Sequence, residues 1–397
     1  LEGFGVFCAL VEYFRQGDWR RWPEEYRHPK NGAVANFTRQ HESEIQLYQY
    51  AQWLAASQLQ EVGEAARRGG LPFSLYQDLA LGAASGGFDT WAYPDQFARD
   101  VTIGAPPDAF SPKGQNWGIL PIIPAALRES GYQLFIDTIR ANAPEDGMLR
   151  LDHVMGFFRL LWIPAGMAPA QGAYVHYPAR ELLAVLALES RRRRTLVIGE
   201  DLGTVSPRVR RDLGRLGVFS YRVFYFERDH EGRFLPPEKY PAQAVAAVTT
   251  HDLPTLAGFW QGRDLAFKRQ ADLYPDPHLA ATDAAQRQWD RLKLVEAMTN
   301  RGLLPENFDP PADPAEPCPT QVREGLLEYL AQSAASLLEV RLEEVFGFTE
   351  QQNFPGTSAK EHPNWRRRLP LTLEEMARDP EPARLAQRLN KYRGHKP

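Results

Sequence analysis

The amino-acid sequence predicts an α/β protein with a parallel sheet, and three observations lead to this fold class. Apolar segments of strand length alternate with segments whose apolar residues recur at helical spacing, the order that a parallel sheet requires. Several of the strand segments are apolar throughout, as expected where helices cover both faces of a sheet. Charged residues follow directly on these strands, at the end of the sheet where (β/α)8 barrels carry their active sites.

The predicted elements begin with helices and continue as alternating strands and helices. Residues 1–70 are expected to form a helical lead-in segment, because apolar residues recur at helical spacing up to Gly69-Gly70, a typical helix end. Strands are predicted at 74–81, 148–154, 195–201, 220–227, 244–250 and 351–354. Helices are predicted at 132–143, 179–194 and 206–217 and in the C-terminal tail.

Two segments are predicted to be insertions into this alternating pattern. Residues 83–131 begin with a Gly- and Pro-rich stretch that is typical of irregular structure. Residues 263–346 are predicted to be helical, interrupted by the Pro- and Asp-rich stretch at 306–319. The remaining portion of residues 71–397 is expected to carry the sheet.

Composition and charge argue against several partners and cofactors. The 397 residues have a formal net charge of -4, whereas nucleic-acid binding needs a concentrated basic surface. No apolar run approaches the roughly 20 residues that span a bilayer, so no membrane partner is expected. Cys8 and Cys318 form no CxxC pair, which predicts neither a disulfide framework nor a zinc site and favours the cytoplasm. No GxGxxG or GxxxxGK[ST] motif supports a nucleotide cofactor.

Three acidic residues stand at the ends of predicted strands: Asp152, Glu200 and Asp252. Neighbouring parallel strands would bring their carboxylates to one rim of the sheet. Arg150 lies two residues before Asp152, on the same strand face, and would keep that carboxylate ionised and oriented. Glu200 follows the apolar run TLVIG, a setting that raises a carboxyl pKa and allows proton donation. His251 precedes Asp252 and suits hydrogen bonding to sugar hydroxyls.

These residue types are the ones that glycosyl transfer requires. One carboxylate attacks the anomeric carbon while an acid protonates the departing oxygen, and a third acid can hold the sugar hydroxyls. Two other interpretations stay open at this point. Each acid could cap the helix after its strand, and the pairs Asp152/His153, His251/Asp252 and Glu200/Asp201 contain metal-ligand residue types. Alternation along a strand disfavours a metal site, because adjacent side chains point to opposite faces, and no G-x-S-x-G elbow supports a serine hydrolase.

Several segments together resemble the 4-α-glucanotransferase family, the amylomaltases or disproportionating enzymes of glycoside hydrolase family 77. They are LRLDHVMGF, VIGEDLGTV, THDLPT, GAPPDAFSPKGQNWG, QGAYVHYP and NFPGT with HPNWRRRL, between about Asp78 and Leu369. The resemblance implies a (β/α)8 TIM-type barrel with inserted subdomains. It also implies a retaining enzyme that transfers α-1,4-glucan segments between maltooligosaccharides through a covalent glucosyl-enzyme intermediate, without a cofactor or metal.

The resemblance assigns a role to each matching residue. Asp152 matches the family's nucleophile, Glu200 its general acid/base and Asp252 its transition-state stabiliser. The residues that match sugar-binding positions are Arg150, His153, His251, Asp78, Asp108, Gln115, Trp117 and Asn353. Asp108, Gln115 and Trp117 belong to a loop that covers the glucan in the family, within the insertion at 83–131.

Family members carry two further barrel strands before the region that matches here. The resemblance therefore predicts that residues 71–397 form the catalytic portion of an incomplete barrel, with about six of eight strands in this chain. We expect two kinds of partner: maltooligosaccharides and other α-1,4-glucans, and the missing N-terminal segment of the same protein. An α-glucan hydrolase and a non-catalytic glucan-binding fragment are the alternatives.

Overall fold

The computed structural model describes residues 1–108, 111, 113–203, 205–311, 313 and 315–394. The chain forms two compact units, Leu1–Val218 and Phe219–Pro397. Among the described residues, none of the helices combines the length and the apolar character that crossing a membrane would require.

The first unit contains three parallel strands, two of which lead directly to Asp152 and Glu200. The strands are Tyr76–Leu79, Met148–Leu151 and Leu196–Gly199, and the middle one pairs with both of the others. Leu149 and Val197 of these strands are buried in one apolar cluster with residues of the neighbouring helices. Those helices are Gln133–Asn142, Ala179–Arg193 and Pro207–Arg215. Leu186 and Leu213 are among the buried residues that these helices add to the cluster.

A second sheet of the first unit is antiparallel, and the sequence did not predict it. Its strands, in spatial order, are Gln115–Asn116, Val101–Ala105, Arg159–Pro164 and Ala173–His176. A short pair, Ala83–Ala84 with Ile119–Leu120, and the helices Phe88–Ala92 and Pro124–Glu129 complete this region. The segment predicted as irregular thus carries regular structure.

The N-terminal helices of the first unit enclose an aromatic core. The helices are Glu2–Phe14, Gly32–Gln40 and Glu42–Arg68. Phe7, Trp22 and Trp91 are buried together. Each indole N–H finds an acceptor: Trp22 donates to the carbonyl oxygen of Gln16 at 2.8 Å, and Trp91 to that of Tyr26 at 2.9 Å. Such bonds remove the cost of burying a polar group in an apolar cluster.

The second unit contains three further parallel strands. They are Phe219–Val223, Ala244–Ala247 and Leu337–Glu339, with Ala244–Ala247 paired to both neighbours and buried throughout. The helices of this unit are Leu256–Trp260, Arg263–Gln270, Pro277–Thr299, Thr320–Ala331, Leu342–Phe346, Leu373–Arg378 and Glu381–Arg393.

The last of the six predicted strands is wrong in position. Residues 351–354 are irregular, and the third strand of the second unit is Leu337–Glu339. Isolated hydrogen bonds hold this irregular segment, which has no β-ladder. Asn353 N–H donates to the carbonyl oxygen of His251 at 3.0 Å, and Phe354 N–H donates to the side chain of Asn364 at 2.9 Å. A turn at Pro355-Gly356, with Gly356 at φ 80°, ends any extended run.

Glu344 of the second unit is a buried acid, and its protonation makes the stability of the protein depend on pH. Its buried carboxylate accepts the N–H of Leu256 at 3.1 and 3.2 Å, and burial raises its pKa from 4.5 to about 7. Its contribution to stability is therefore present below the ordinary pKa and is lost as the pH rises through about 7. We predict that Glu344→Gln raises the free energy of unfolding at about pH 8 by up to about 3 kcal/mol.

Denaturant unfolding at about pH 4 and about pH 8 measures this effect, and Glu306→Gln, at an exposed position, is the control. The gain of Glu344→Gln over the natural protein should grow between these pH values, while the control shows no such growth. An equal difference at both pH values would contradict the prediction.

Candidate active site

Asp152 and Glu200 occupy equivalent positions at the ends of adjacent parallel strands. The strand residues Leu79, Leu151 and Gly199 lie in register with one another. The ladder continues one step further, because the N–H of Asp152 donates to the carbonyl oxygen of Leu79 and the N–H of Glu200 to that of Leu151, both at 3.0 Å. Two acids therefore follow directly on neighbouring strands of the first unit.

Arg150 connects two carboxylates on one face of this strand end. Its Nη1 lies 2.7 and 2.8 Å from the two carboxylate oxygens of Asp78, and its Nη2 lies 3.1 Å from Oδ1 of Asp152. Burial opposes the charge on Arg150, but the carboxylates of Asp78 and Asp152 outweigh it and raise the arginine pKa. A permanent positive charge thus orients the Asp152 carboxylate, whose side chain stays 37% exposed.

Glu200 sits in a different electrostatic setting from Asp152. Its Oε2 accepts the N–H of His153 at 3.1 Å, and its Oε1 accepts the N–H of Leu202 at 2.6 Å. Burial of the carboxyl group outweighs these bonds and, with the nearby charge of Asp152, raises the pKa of Glu200 to about 7. At neutral pH the Glu200 carboxyl group is therefore protonated in a large fraction of protein molecules. The apolar run before Glu200 predicted this raised pKa.

His153 and Trp117 form an aromatic contact next to the two acids. Their ring centroids are 5.2 Å apart at an interplanar angle of 72°, and the indole N–H of Trp117 donates to Oε1 of Gln115 at 3.0 Å. Burial lowers the pKa of His153, which favours the neutral imidazole. The backbone of His153 is left-handed, with φ 43°, and this turn directs its N–H to Glu200.

Asp108 precedes Gln115 and Trp117 in the same predicted loop and is hydrogen-bonded to Ser111. Its carboxylate accepts the N–H of Ser111 at 2.6 Å, and its own N–H donates to the Ser111 carbonyl oxygen at 3.1 Å. Residues 109, 110 and 112 of this predicted glucan-covering loop lie outside the described residues. Both of these bonds link Asp108 to Ser111, and the sugar-binding role of Asp108 stays a prediction.

The second unit brings Asp252, His251 and Asn353 together. Asn353 donates through Nδ2 to Oδ1 of Asp252 at 2.6 Å, and Nε2 of His251 lies 3.4 Å from Oδ2 of the same carboxylate. Gln351 donates to the carbonyl oxygen of Asp252 at 2.9 Å, which fixes the backbone of this acid. The sequence had placed Asn353 with these residues only through the family resemblance.

Two residues of this second cluster were not singled out from the sequence. Gln351 anchors Asp252, as described, and the ring of Trp365 lies 4.9 Å from that of His251. Both stand in or beside the motifs NFPGT and HPNWRRRL, in which the resemblance assigned a role only to Asn353. Gln351 contacts Asp252 and Trp365 contacts His251 across long distances in the sequence, and sequence spacing does not reveal such contacts.

Helix capping does not account for the three acids. The helix Pro207–Arg215 after Glu200 is capped by Ser206, and the helix Leu256–Trp260 after Asp252 by Thr255. Asp152 is followed by a short 3-10 turn without a side-chain cap. The capping interpretation is therefore wrong for all three. Among the described ranges, no group of three or more His, Cys, Asp or Glu is arranged to hold a metal ion.

Comparison with known proteins identifies the family. A sequence model described as 4-alpha-glucanotransferase, glycoside hydrolase family 77, matches residues 1–372. The chain belongs to the 4-α-glucanotransferase family. The 4-alpha-glucanotransferase of Mycobacterium tuberculosis (strain H37Rv) is 37% identical over 397 residues, which cover 98% of this chain and 53% of that protein. The 4-alpha-glucanotransferase of Haemophilus influenzae is 38% identical over 356 residues, covering 89% of this chain and 50% of that protein.

Solved structures of the 4-α-glucanotransferase family support the same conclusion for the fold. The crystal structure of amylomaltase from Corynebacterium glutamicum matches with a TM-score of 0.82 at 27% identity, covering 99% of this chain and 54% of that one. Amylomaltase from Streptococcus agalactiae in complex with acarbose matches with a TM-score of 0.78 at 20% identity, covering 98% and 72%. These matches confirm the predicted incomplete α/β barrel with six parallel strands. The chain spans about half the length of the curated relatives it matches.

Proposed function

We propose that the protein is a retaining 4-α-glucanotransferase that passes α-1,4-glucan segments between maltooligosaccharides. The observation that carries this proposal is the pair of carboxyl groups of Asp152 and Glu200, the first ion-paired with Arg150 and the second buried. Asp152 faces the guanidinium of Arg150 at 3.1 Å, whereas burial keeps Glu200 near a pKa of 7. Glu200 accepts the N–H of His153, the residue directly after Asp152, and the charge of Asp152 contributes to the raised pKa of Glu200, so the two acids belong to one site. A nucleophile beside a proton donor is what retention requires.

In the first step, a carboxylate oxygen of Asp152 attacks C1 of the donor sugar. The bond between C1 and the glycosidic oxygen breaks, and its electron pair stays on that oxygen. Protonated Glu200 gives its proton to the same oxygen, which leaves as the 4-hydroxyl of the released segment. The donor glucan is then esterified to Asp152, and Glu200 is a carboxylate.

In the second step, the 4-hydroxyl of an acceptor glucan replaces the released segment. Glu200 removes the proton of this hydroxyl, and the hydroxyl oxygen of the acceptor attacks C1. The bond between C1 and the Asp152 carboxylate oxygen then breaks. Both carboxyl groups return to their starting state, and the anomeric configuration is retained by two inversions. Asp252, held by Asn353 and His251, is proposed to stabilise the transition state through the sugar hydroxyls.

The partners and location follow from the same proposal. The substrates are maltooligosaccharides and other α-1,4-glucans, with Arg150, His153, His251, Asp78, Asp108, Gln115, Trp117 and Asn353 as sugar-binding residues. An N-terminal segment of the same protein, as the family resemblance implies, is proposed as the partner that completes the barrel. The unpaired cysteines, Cys8 and Cys318, support the proposed cytoplasmic location.

Maltotriose distinguishes transfer from hydrolysis. A transferase releases glucose from maltotriose and forms longer oligosaccharides while total reducing ends stay constant. Reducing ends that rise in step with cleavage would identify a hydrolase, and glucan binding without any product would identify a non-catalytic fragment. Either result from the full-length enzyme would overturn the proposed function.

The pKa of Glu200 predicts how transfer depends on pH. The first step needs protonated Glu200, so the rate should fall as the pH rises through about 7 instead of through the ordinary glutamate value of 4.5. Initial rates of maltotriose disproportionation between about pH 5 and about pH 9 measure this alkaline limb.

A donor with a fluoride leaving group is the control for this pH profile. Fluoride leaves without protonation, so α-maltosyl fluoride should not show the alkaline limb. An alkaline limb of equal position and depth with both donors would assign the titration to another group.

A further inference from the structure

Trp365 is a large aromatic residue that the fold holds in an exposed and strained position. Its relative exposure is 64%, and its backbone is left-handed with φ 59°. Bulky residues rarely adopt this conformation, and those that do cluster at functional sites where surrounding contacts enforce it. Because Trp365 combines an exposed ring with a strained backbone, we expect the ring to have a binding function.

Trp365 and the preceding Asn364 are both anchored by hydrogen bonds. Its N–H donates to the carbonyl oxygen of Gln352 at 3.1 Å. The preceding Asn364 donates through Nδ2 to the carbonyl oxygen and to the hydroxyl of Thr357, at 3.1 and 3.0 Å, and accepts the N–H of Phe354 at 2.9 Å. The exposed ring therefore stands on an ordered base.

The ring of Trp365 adjoins the cluster around Asp252. Its centroid lies 4.9 Å from that of His251 at an interplanar angle of 53°, and His251 Nε2 lies 3.4 Å from the Asp252 carboxylate. A ligand that stacks on the exposed part of this indole would extend to the imidazole of His251 and from there to the acid.

A cavity of about 240 Å³ begins at the same backbone. Its lining includes Gln352, Glu350 and Arg367, so the residue whose carbonyl accepts the Trp365 N–H is also part of the cavity wall. Arg367 forms an ion pair with Glu350 at 2.6 Å through Nη1, while its buried Nε has no hydrogen-bond partner within the described part of the chain. The cavity thus has polar groups in its wall and shares Gln352 with the backbone hydrogen bond that anchors Trp365.

We propose that Trp365 is a sugar-binding platform on which one glucose unit of the α-glucan stacks, with its hydroxyls directed to the Gln352–Arg367 cavity. A glucose ring has a face of C–H groups that packs against an aromatic ring, and a rim of hydroxyls that needs polar partners. This inference rests on the proposed function and adds a binding position to it. Trp365 contributes to affinity and chain-length preference, not to bond cleavage.

Calorimetric binding of maltoheptaose to Glu200→Gln, in which transfer is expected to be at least about a thousandfold slower, tests the platform directly. Adding Trp365→Ala should weaken binding about tenfold, whereas Trp365→Phe, which keeps an aromatic face, should stay within about threefold of the parent. In the otherwise unchanged enzyme, Trp365→Ala should raise KM for maltoheptaose and leave kcat nearly constant.

Trp53→Ala is the matched control, because Trp53 is also exposed, at 57%, and its ring stacks on Tyr50. Unchanged affinity in Trp365→Ala would overturn the platform, as would a lower kcat at unchanged affinity, which would mean that Trp365 only positions His251. Absence of transfer by the unsubstituted enzyme would instead overturn the proposed function, and the binding comparison would remain valid for the platform.

Discussion

Glu200→Gln is expected to slow transfer between maltooligosaccharides by about a thousandfold or more while glucan binding changes little. Glutamine occupies the same volume and can still accept the N–H of His153 or Leu202 through its one carbonyl oxygen. It cannot give a proton to the departing oxygen or take one from the acceptor hydroxyl. Disproportionation rates on maltotriose and calorimetry with maltoheptaose measure the two parts of this expectation.

An activated donor shows whether Glu200→Gln lacks only the proton donor or whether its site is also disturbed. With α-maltosyl fluoride, fluoride ion leaves without an acid, so Glu200→Gln should form the maltosyl ester on Asp152 at a rate close to that of the unsubstituted enzyme. The ester should then accumulate, because no base removes the proton of the acceptor. Failure of the fluoride donor to react would mean that the substitution disturbs the site itself, and unchanged maltotriose turnover would remove Glu200 from the acid/base role.

Asp152→Asn is expected to abolish transfer with every donor, including the fluoride. The amide is a poor nucleophile, so no ester can form whatever leaving group is present. The fold should survive because Arg150 keeps its ion pair with Asp78, at 2.7 Å, when the charge on residue 152 is removed. A rate loss of at least about a thousandfold for both donors, with a melting temperature close to that of the unsubstituted protein, is the expected outcome.

Mass spectrometry of peptides identifies the residue that carries the ester. The adduct that accumulates in Glu200→Gln should map to Asp152 and should be missing when Asp152→Asn is added. Asp137→Asn, at an exposed position on the helix Gln133–Asn142, is the matched control and should retain the adduct. A sugar adduct on any other carboxyl group would contradict the assignment of the nucleophile.

Much of the first unit's site could be predicted from the sequence because its signals are local. Alternation along one strand is enough to place Arg150 on the same face as Asp152, and the observed contact at 3.1 Å confirms it. The apolar run before Glu200 predicts a buried carboxyl group, and its raised pKa confirms that expectation. Both predictions depend on residues within five positions of the acid.

The features that the sequence did not reveal depend on contacts between distant segments. The ion pair of Arg150 with Asp78 joins residues 72 positions apart, and Asn353 reaches Asp252 across 101 positions. The strand Leu337–Glu339 has three residues, too few for a periodic pattern, and the antiparallel sheet forms only where its strands find one another. Here tertiary pairing, not local propensity, decides the structure.

The bond from residue 153 to Glu200 comes from the main chain, and this has a consequence for natural variation and for engineering. A side-chain replacement at position 153 exchanges the imidazole but leaves the amide that anchors the acid in place. The left-handed backbone there, at φ 43°, is most easily retained by Gly or Asn. We expect variants with Gly or Asn at position 153 to change the preference for different sugars while Glu200 keeps its hydrogen bond to the main chain.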